Sequence, residues 1–314
     1  MNTEKTLMKL SYVIPTKDRP EQVKACLESL AERENRNLID CVVVVACGRR
    51  LDSVLDDFRE HLFIRYIHTE KCGQLYQRNV GLRECLDKSE YIGFLDEDVV
   101  LGAGTCRHLV DFILSKRAAG ITISGVSMNV INAPSYEEIK FRLLKKVLLQ
   151  IGKKPGVVTV AGSNTTIANI SEDISTEWLA GGCTVWSANV LIDHPYMDID
   201  TKYAAAEDLI YSFPLHKSYS LYVCAKATCT PDFQYSDLRA NQRYIAFKQI
   251  VAKLYFCHNN KELSVLLCGL IEILTQLIQL RSFTRGSLSK FLGFVTGMIY
   301  FFSHMNKGVH VLDD

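Results

Sequence analysis

The chain has 314 residues, 48% hydrophobic and 23% charged, enough to bury one large α/β core with a smaller appendage. A formal net charge of +1 leaves no global footprint for wrapping nucleic acid, so no nucleic-acid partner is expected. Eleven cysteines without a CxxC pair point to reduced thiols in a cytoplasmic protein rather than a disulfide framework.

The apolar stretch in "MNTEKTLMKLSYVIPT" is too short for a secretory signal. Residues 10–16, "LSYVIPT", read as a strand, and Pro20 then opens an amphipathic helix with Val23, Leu27 and Leu30 on one face. Residues 41–48, "CVVVVACG", are β-branched on both faces, as in a parallel strand covered by helices on either side. A third strand is expected at 63–69, a helix over "GQLYQRNVGLRECLDK", and a fourth strand at "YIGFLDED". This alternation predicts a doubly wound, mostly parallel α/β sheet flanked by helices. Ligands in such sheets bind at the carboxyl ends of the strands, where Thr16, Asp18, Asp96, Glu97 and Asp98 all fall.

Further along, "ITISGVSMNV" reads as a strand and "SYEEIKFRLLKKVLLQIG" as a helix. That helix has an apolar stripe of Ile139, Leu143, Val147 and Ile151, with Lys140, Arg142, Lys145 and Lys146 largely off it. "GVVTVAGSN" and "EWLAGGCTVWS" are expected as strand and loop, "AEDLIYSFPLHKSYSLYVC" as a helix followed by a strand. From about Ser236 the pattern is helical, which divides the chain into 1–235 and a helical extension, 236–314.

Three motifs carry candidate chemistry. An Asp-x-Asp after "YIGFL" is a hard-cation site for Mg²⁺ or Mn²⁺, or else a solvated acidic turn. Glu207 and Asp208 in "AAAEDLIYS" are a base motif, or ordinary acids in a first helical turn. In "TEWLAGGCTVWS" the Gly181, Gly182 pair permits close backbone approach to a ligand or a plain turn, and Trp178 offers an aromatic face to a sugar.

Taken in order, "VIPTKDRPEQVKACLESL", "GQLYQRNVGL", "GFLDEDVVL", "WLAGGC" and "AEDL" resemble the family 2 glycosyltransferases of GT-A fold over about residues 10–235. The region from "VVTVAGSN" to "EWLAGGC" is similar to bacterial surface-polysaccharide enzymes. The resemblance implies that Pro15, Thr16 and Asp18, with Arg19 nearby, line the nucleotide pocket. Gln74, Arg78 and Asn79 are assigned to the QRN motif, near base and phosphates. Asp96 would face ribose or metal, Asp98 would ligate the metal, and Glu97 would point away. Gly181 and Gly182 would border sugar or acceptor, Asp208 would be the general base, and Glu207 would bind hydroxyls. The implied reaction is an inverting in-line displacement on a nucleoside-diphosphate sugar, UDP-sugar favoured and dTDP-sugar possible.

Two positions depart from the family pattern. The second strand ends "VVVVACGRR", without the acidic residue usual in that turn, and "KATCTPDFQYS" lacks the histidine that serves the metal in many relatives. Asp232 is the substitute considered for that histidine. Arg243 and Lys248, in a helix resembling one that follows this domain in surface-glycan enzymes, are candidates for phosphate or acceptor contact.

Residues 263–280 carry only Glu272 as a charge and 291–302 carry none, with Arg281, Arg285 and Lys290 between them. Neither run reaches the roughly 18 uncharged apolar residues of a spanning helix. They are expected to lie on the inner face of the cytoplasmic membrane, beside a lipid-linked glycan acceptor, or to form a homo-oligomer interface or a helical core. The alternative to an enzyme is a catalytically silent scaffold of a membrane glycan-assembly complex.

Overall fold

The structure, a computed structural model, describes residues 8–133, 154–197, 199, 201, 203–231, 241–281 and 284–313. The helix expected at 135–152, with its basic residues, and Asp232 lie outside the described residues.

The strands are β1 (Leu10–Lys17), β2 (Ile39–Cys47), β3 (Ile64–Thr69), β4 (Tyr91–Leu95), β5 (Val99–Leu101), β6 (Gly125–Val130), β7 (Ile174–Ser175), β8 (Cys183–Ser187) and β9 (Leu221–Pro231). They form one sheet in the order β3-β2-β1-β4-β8-β6-β9-β5, with β7 against β9. Pairing is parallel from β3 through β4 and again between β6 and β9. β8, β5 and β7 join antiparallel.

Helices α1 (Pro20–Ala31), α2 (Arg33–Arg36), α3 (Asp52–Asp56), α4 (Gln74–Arg83) and α5 (Thr105–Ala118) connect the first strands. α6 (Ala188–Asp193) follows β8, and α7 (Glu207–Leu215) precedes β9. The continuous β-branched run of β2 places Cys41, Val43 and Val45 in the core on one face. Val42, Val44 and Ala46 enter the core on the other. Burying each valine stabilises the fold by about 1.5–3 kcal/mol, which fixes the register that brings the strand ends into line.

The "GVVTVAGSN" segment is a loop closed by one bridge, Val158 to Asn164, rather than a strand. α4 ends at Arg83, short of the expected Lys88, in a turn through residues 84–88. Cys47 and Cys72 form a disulfide, which corrects the expectation of thiols reduced throughout. The other nine cysteines are buried and free.

The C-terminal helices are α8 (Gln242–Asn259), α9 (Val265–Leu280) and α10 (Arg285–His304), followed by a 3₁₀ segment, Met305–Leu312. α10 crosses α8 at backbone contact: a Cβ on Gly293 would lie 2.1 Å from the Arg243 carbonyl oxygen. A Cβ on Gly297 would lie 2.9 Å from that of Phe247. Any larger residue there forces the helices apart. Lys248, considered for phosphate or acceptor contact, is instead buried, and its Nζ donates to the carbonyls of Leu312 and Asp313. It fastens the chain end to α8. Arg243 is exposed on the first turn of α8. No helix among the described residues is long and apolar enough to cross a membrane.

Candidate active site

The carboxyl ends of β1 and β4, the N-terminal turns of α4 and α7, and the Gly181, Gly182 loop converge on one site. Pro15 and Thr16 are buried at the end of β1, and the Thr16 hydroxyl is a buried group without a hydrogen-bond partner. Asp18 turns the chain outward with φ 55°, in the left-handed region that Asp tolerates. Its Oδ1 accepts the Arg49 amide at 2.7 Å, and a Cβ on Gly48 would lie 2.3 Å from that same oxygen. The β2 turn that lacks an acid of its own therefore receives one from Asp18.

α4 supplies the polar floor. Gln77 is buried, and its amide donates to the carbonyls of Thr16 (2.8 Å) and Val45 (2.7 Å), tying α4 to two strand ends. Gln74 donates to Asp96 Oδ1 at 2.7 Å. Arg78, fully buried, donates to the same oxygen at 2.8 Å and to Glu207 Oε1 at 3.4 Å. Its guanidinium also lies over the rings of Phe94 (6.0 Å) and Tyr196 (5.8 Å). Burial works against its charge, but the Asp96 and Glu207 carboxylates outweigh burial and hold it protonated. Asn79 donates to the Tyr196 carbonyl at 3.3 Å.

Asp96 is framed by the glycine loop. Its amide donates to the Gly182 carbonyl at 2.9 Å, and a Cβ on Gly182 would sit 2.1 Å from its Oδ2. A Cβ on Gly181 would sit 2.7 Å from Glu207 Oε1. Only glycines let this loop pass between the two carboxylates.

Glu97 does not point away. It is the least exposed of the three consecutive acids, at 13% against 27% for Asp98 and 31% for Asp96. Arg19 Nη1 reaches its Oε1 at 3.1 Å and Asp98 Oδ2 at 3.4 Å. Burial, then the neighbouring Asp96, pushes the Glu97 carboxyl up to about 7. The repulsion inherent in Asp-Glu-Asp is thus partly met by the protein's own cations, Arg19 on one side and Arg78 on the other.

α7 is capped by the preceding Ala206, a non-glycine residue at φ 54°, a geometry that costs about 1–2 kcal/mol and brings Glu207 and Asp208 into the first turn. Burial, reinforced by Asp208, raises Glu207 to about 7. Burial raises Asp208 to about 6, against the lowering influence of the Leu209 amide, which donates to its Oδ1 at 2.8 Å.

The donor set suits a hard cation held by few protein groups. Asp98 and Asp96 offer two partly exposed carboxylates at a strand end. Among the described residues no three His, Cys, Asp or Glu side chains converge as a complete metal cage. Mg²⁺ ordinarily takes one or two protein carboxylates and completes its shell with water and phosphate oxygens, so the pair fits.

Of the expected site residues, the structure brings together Thr16, Arg19, Gln74, Arg78, Asp96, Asp98, Gly181, Gly182 and Glu207, with Asp208 on the next position of α7. The contiguous QRN triplet is Gln77, Arg78 and Asn79, so the assignment of Gln74 to it is corrected. Gln74 belongs to the site through Asp96. Gln77 and Tyr196 were missed; the repeated glutamine hid the first, and the second arrives from a segment without a motif. Trp178 is not available to a sugar. It is 7% exposed, and its Nε1 donates to the Thr165 carbonyl at 3.1 Å within the core.

Solved structures share this architecture at low identity. S. aureus TarS 1–349 in complex with UDP-GlcNAc aligns with TM-score 0.55 and 16% identity, over 98% of this chain and 84% of that one. A mannosyltransferase from Pyrobaculum calidifontis with GDP-Man and Mn²⁺ gives 0.50 and 14%, over 96% and 76%. GalNAc-T7 with UDP, GalNAc and Mn²⁺ gives 0.55 and 13%, over 73% of this chain and 44% of that one. The chain also spans 44% of the longer S. aureus TarS chain. No curated protein matches the sequence. The mixed sheet flanked by helices is the GT-A fold of these glycosyltransferases. The sequence matches Glycosyl transferase family 2 over residues 11–168, half of its length, and the chain belongs to that family of glycosyltransferases.

Proposed function

We propose that the protein transfers a sugar from a nucleoside-diphosphate sugar, UDP-sugar favoured and dTDP-sugar possible, to a hydroxyl of a glycan acceptor, inverting the anomeric configuration. The observation that carries this reading is the convergence of Asp96, Arg78, Glu207 and Gly182 beside Asp208 at the carboxyl ends of β1 and β4. Complexes of fold relatives with UDP-GlcNAc and GDP-Man support a nucleotide-sugar donor.

In this reading the acceptor oxygen forms a bond to the anomeric carbon while the bond from that carbon to the diphosphate oxygen breaks. The acceptor proton goes to Asp208, whose Oδ1 is occupied by the Leu209 amide and whose Oδ2 receives it. A base with a pKa of about 6 is ionised at neutral pH yet still basic enough to take a proton in the transition state. Glu207, held by Arg78, binds a hydroxyl of the sugar or the acceptor. Asp98 and Asp96 would hold Mn²⁺ or Mg²⁺, which would supply neutralisation of diphosphate charge. Thr16, Asp18 and the floor built by Gln77 orient the nucleotide. Proximity, charge neutralisation and the base share the acceleration.

The acceptor we favour is a lipid-linked glycan of a bacterial surface polysaccharide, met by a protein peripheral on the inner face of the membrane. α9 exposes Leu266, Leu270, Leu274 and Leu277, and α10 exposes Leu288, Leu292 and Ile299. Exposed Arg281, Arg285 and Lys290 flank them, a charge pattern complementary to anionic headgroups. A thermal-shift screen of UDP, dTDP and GDP with and without Mn²⁺ tests the donor, because ligand binding raises apparent stability. No stabilisation by any of them would overturn it. Sedimentation with phosphatidylglycerol vesicles tests the membrane; a concentration-dependent dimer that ignores vesicles would replace it with a homo-oligomer.

A further inference from the structure

A cavity of about 430 Å³ lies between the segment that carries Asp208 and the C-terminal helices. Ala205, Ala206 and Leu209, which bracket Glu207 and Asp208 in the chain, form one wall. The 162–164 loop forms another. Its Gly162, at φ 71°, packs where a Cβ would lie 2.4 Å from Cys257 Sγ on α8, and the Ser264 amide binds the Val160 carbonyl at 2.8 Å. This loop is therefore anchored onto the helical extension. The remaining wall comes from α8, α9 and α10.

The lining is polar but carries no net charge among its ionic groups. Ser163, Asn164, Gln249 and Gln276 surround one ion pair, Lys253 with Glu272. Lys253 Nζ also donates to Ser163 Oγ at 3.2 Å. Both members are largely buried, with side chains 24% and 16% exposed. Amides and a neutralised pair offer donors and acceptors together, which suits hydroxyl groups and gives no preference for an anion such as a diphosphate. Phe256, Ile250 and Phe294 add apolar surface for the C–H faces of a ring. The volume falls within the roughly 300–1,000 Å³ of small-ligand pockets.

We propose that this cavity is an acceptor subsite holding a neutral saccharide unit, built jointly by the catalytic core and the C-terminal helices. The proposal rests on the transferase reading for its name as an acceptor site, but its chemistry, binding of a neutral sugar, is testable alone. It gives the extension a place in the reaction: α8 and α9 would hold a saccharide beside the segment that carries Asp208.

The test is saturation-transfer NMR on the full chain with maltose, lactose, cellobiose and N,N′-diacetylchitobiose, with calorimetry of UDP, GDP and dTDP run in parallel. Wild type is expected to bind at least one disaccharide. Gln276→Trp and Gln249→Trp, on different helices, are expected to weaken that binding by at least about tenfold through lost hydrogen bonds and filled volume. No disaccharide signal in wild type overturns the proposal. So does a signal unchanged in both variants, or loss of nucleotide binding together with sugar binding in both. Disaccharide binding that maps to the cavity while no nucleoside diphosphate binds would sustain the subsite and overturn the donor reading.

Discussion

Replacing Arg78 with methionine removes the buried cation that bridges Asp96 and Glu207. The guanidinium is 0% exposed and reaches the two carboxylates at 2.8 and 3.4 Å. Breaking a buried pair by deleting one partner costs about 3–5 kcal/mol, because the other charge is left uncompensated. Asp96 is 31% exposed and Glu207 already takes a proton at about pH 7, so the lower end, about 3 kcal/mol, applies. At about 2–4 °C per kcal/mol for a large domain, Tm falls by about 6–12 °C. The sign with pH follows from Glu207. Its folded pKa is raised from 4.5 to about 7, so its ionisation weakens the fold as pH climbs, and Arg78 limits that loss. The penalty of Arg78→Met is therefore larger at pH 8 than at pH 5.5, where Glu207 is protonated in both proteins. Urea unfolding followed by circular dichroism at the two pH values measures it. A loss below about 1 kcal/mol at pH 8, or an equal loss at both, would refute the reasoning.

Gly182→Ala places a methyl 2.1 Å from Asp96 Oδ2 and must displace that carboxylate. Transfer should fall by about 100-fold, and Tm should fall as well, because the displaced Asp96 leaves buried Arg78 without its partner at 2.8 Å; an unaltered rate would show that the Asp96 position is immaterial. The pH profile of kcat should fall about tenfold per unit on the acid side of about pH 6, as Asp208 gains its proton. A profile without that acid limb excludes a base of this pKa. Chelation should abolish transfer and Mn²⁺ should restore it, with Asp98→Asn needing at least about tenfold more Mn²⁺. Full activity in excess EDTA would remove the metal from the account.

The parallel half of the sheet was legible because its inner strands β1, β2 and β4 are buried on both faces and read as apolar runs, β-branched in β2 from Val42 to Val45. The site's acids were legible as short motifs whose order along the chain exceeded the information in any one of them. Orientation was not legible. Glu97 looked like an outward residue between two functional ones, yet burial against Arg19 turns it inward. Trp178 looked like a sugar platform, but its indole satisfies a core carbonyl. Lys248 looked like a phosphate ligand, and it closes the chain end. The missing acid of the β2 turn was present at Asp18, thirty-one positions from the amide it accepts. Nor could any local pattern reveal the cavity, since its walls come from segments near residues 163, 205, 250 and 275. In each case a tertiary contact decided what composition and spacing left open.

The central claim is that Asp208 is the base of a nucleotide-sugar transfer. Its most direct test compares wild type and Asp208→Asn for turnover of a panel of UDP-, dTDP- and GDP-sugars with Mn²⁺, alongside nucleotide affinity. The account predicts a loss of about 10²–10⁴-fold in kcat with the nucleotide Kd preserved. Full transfer by Asp208→Asn, or no donor turned over by wild type, would contradict it.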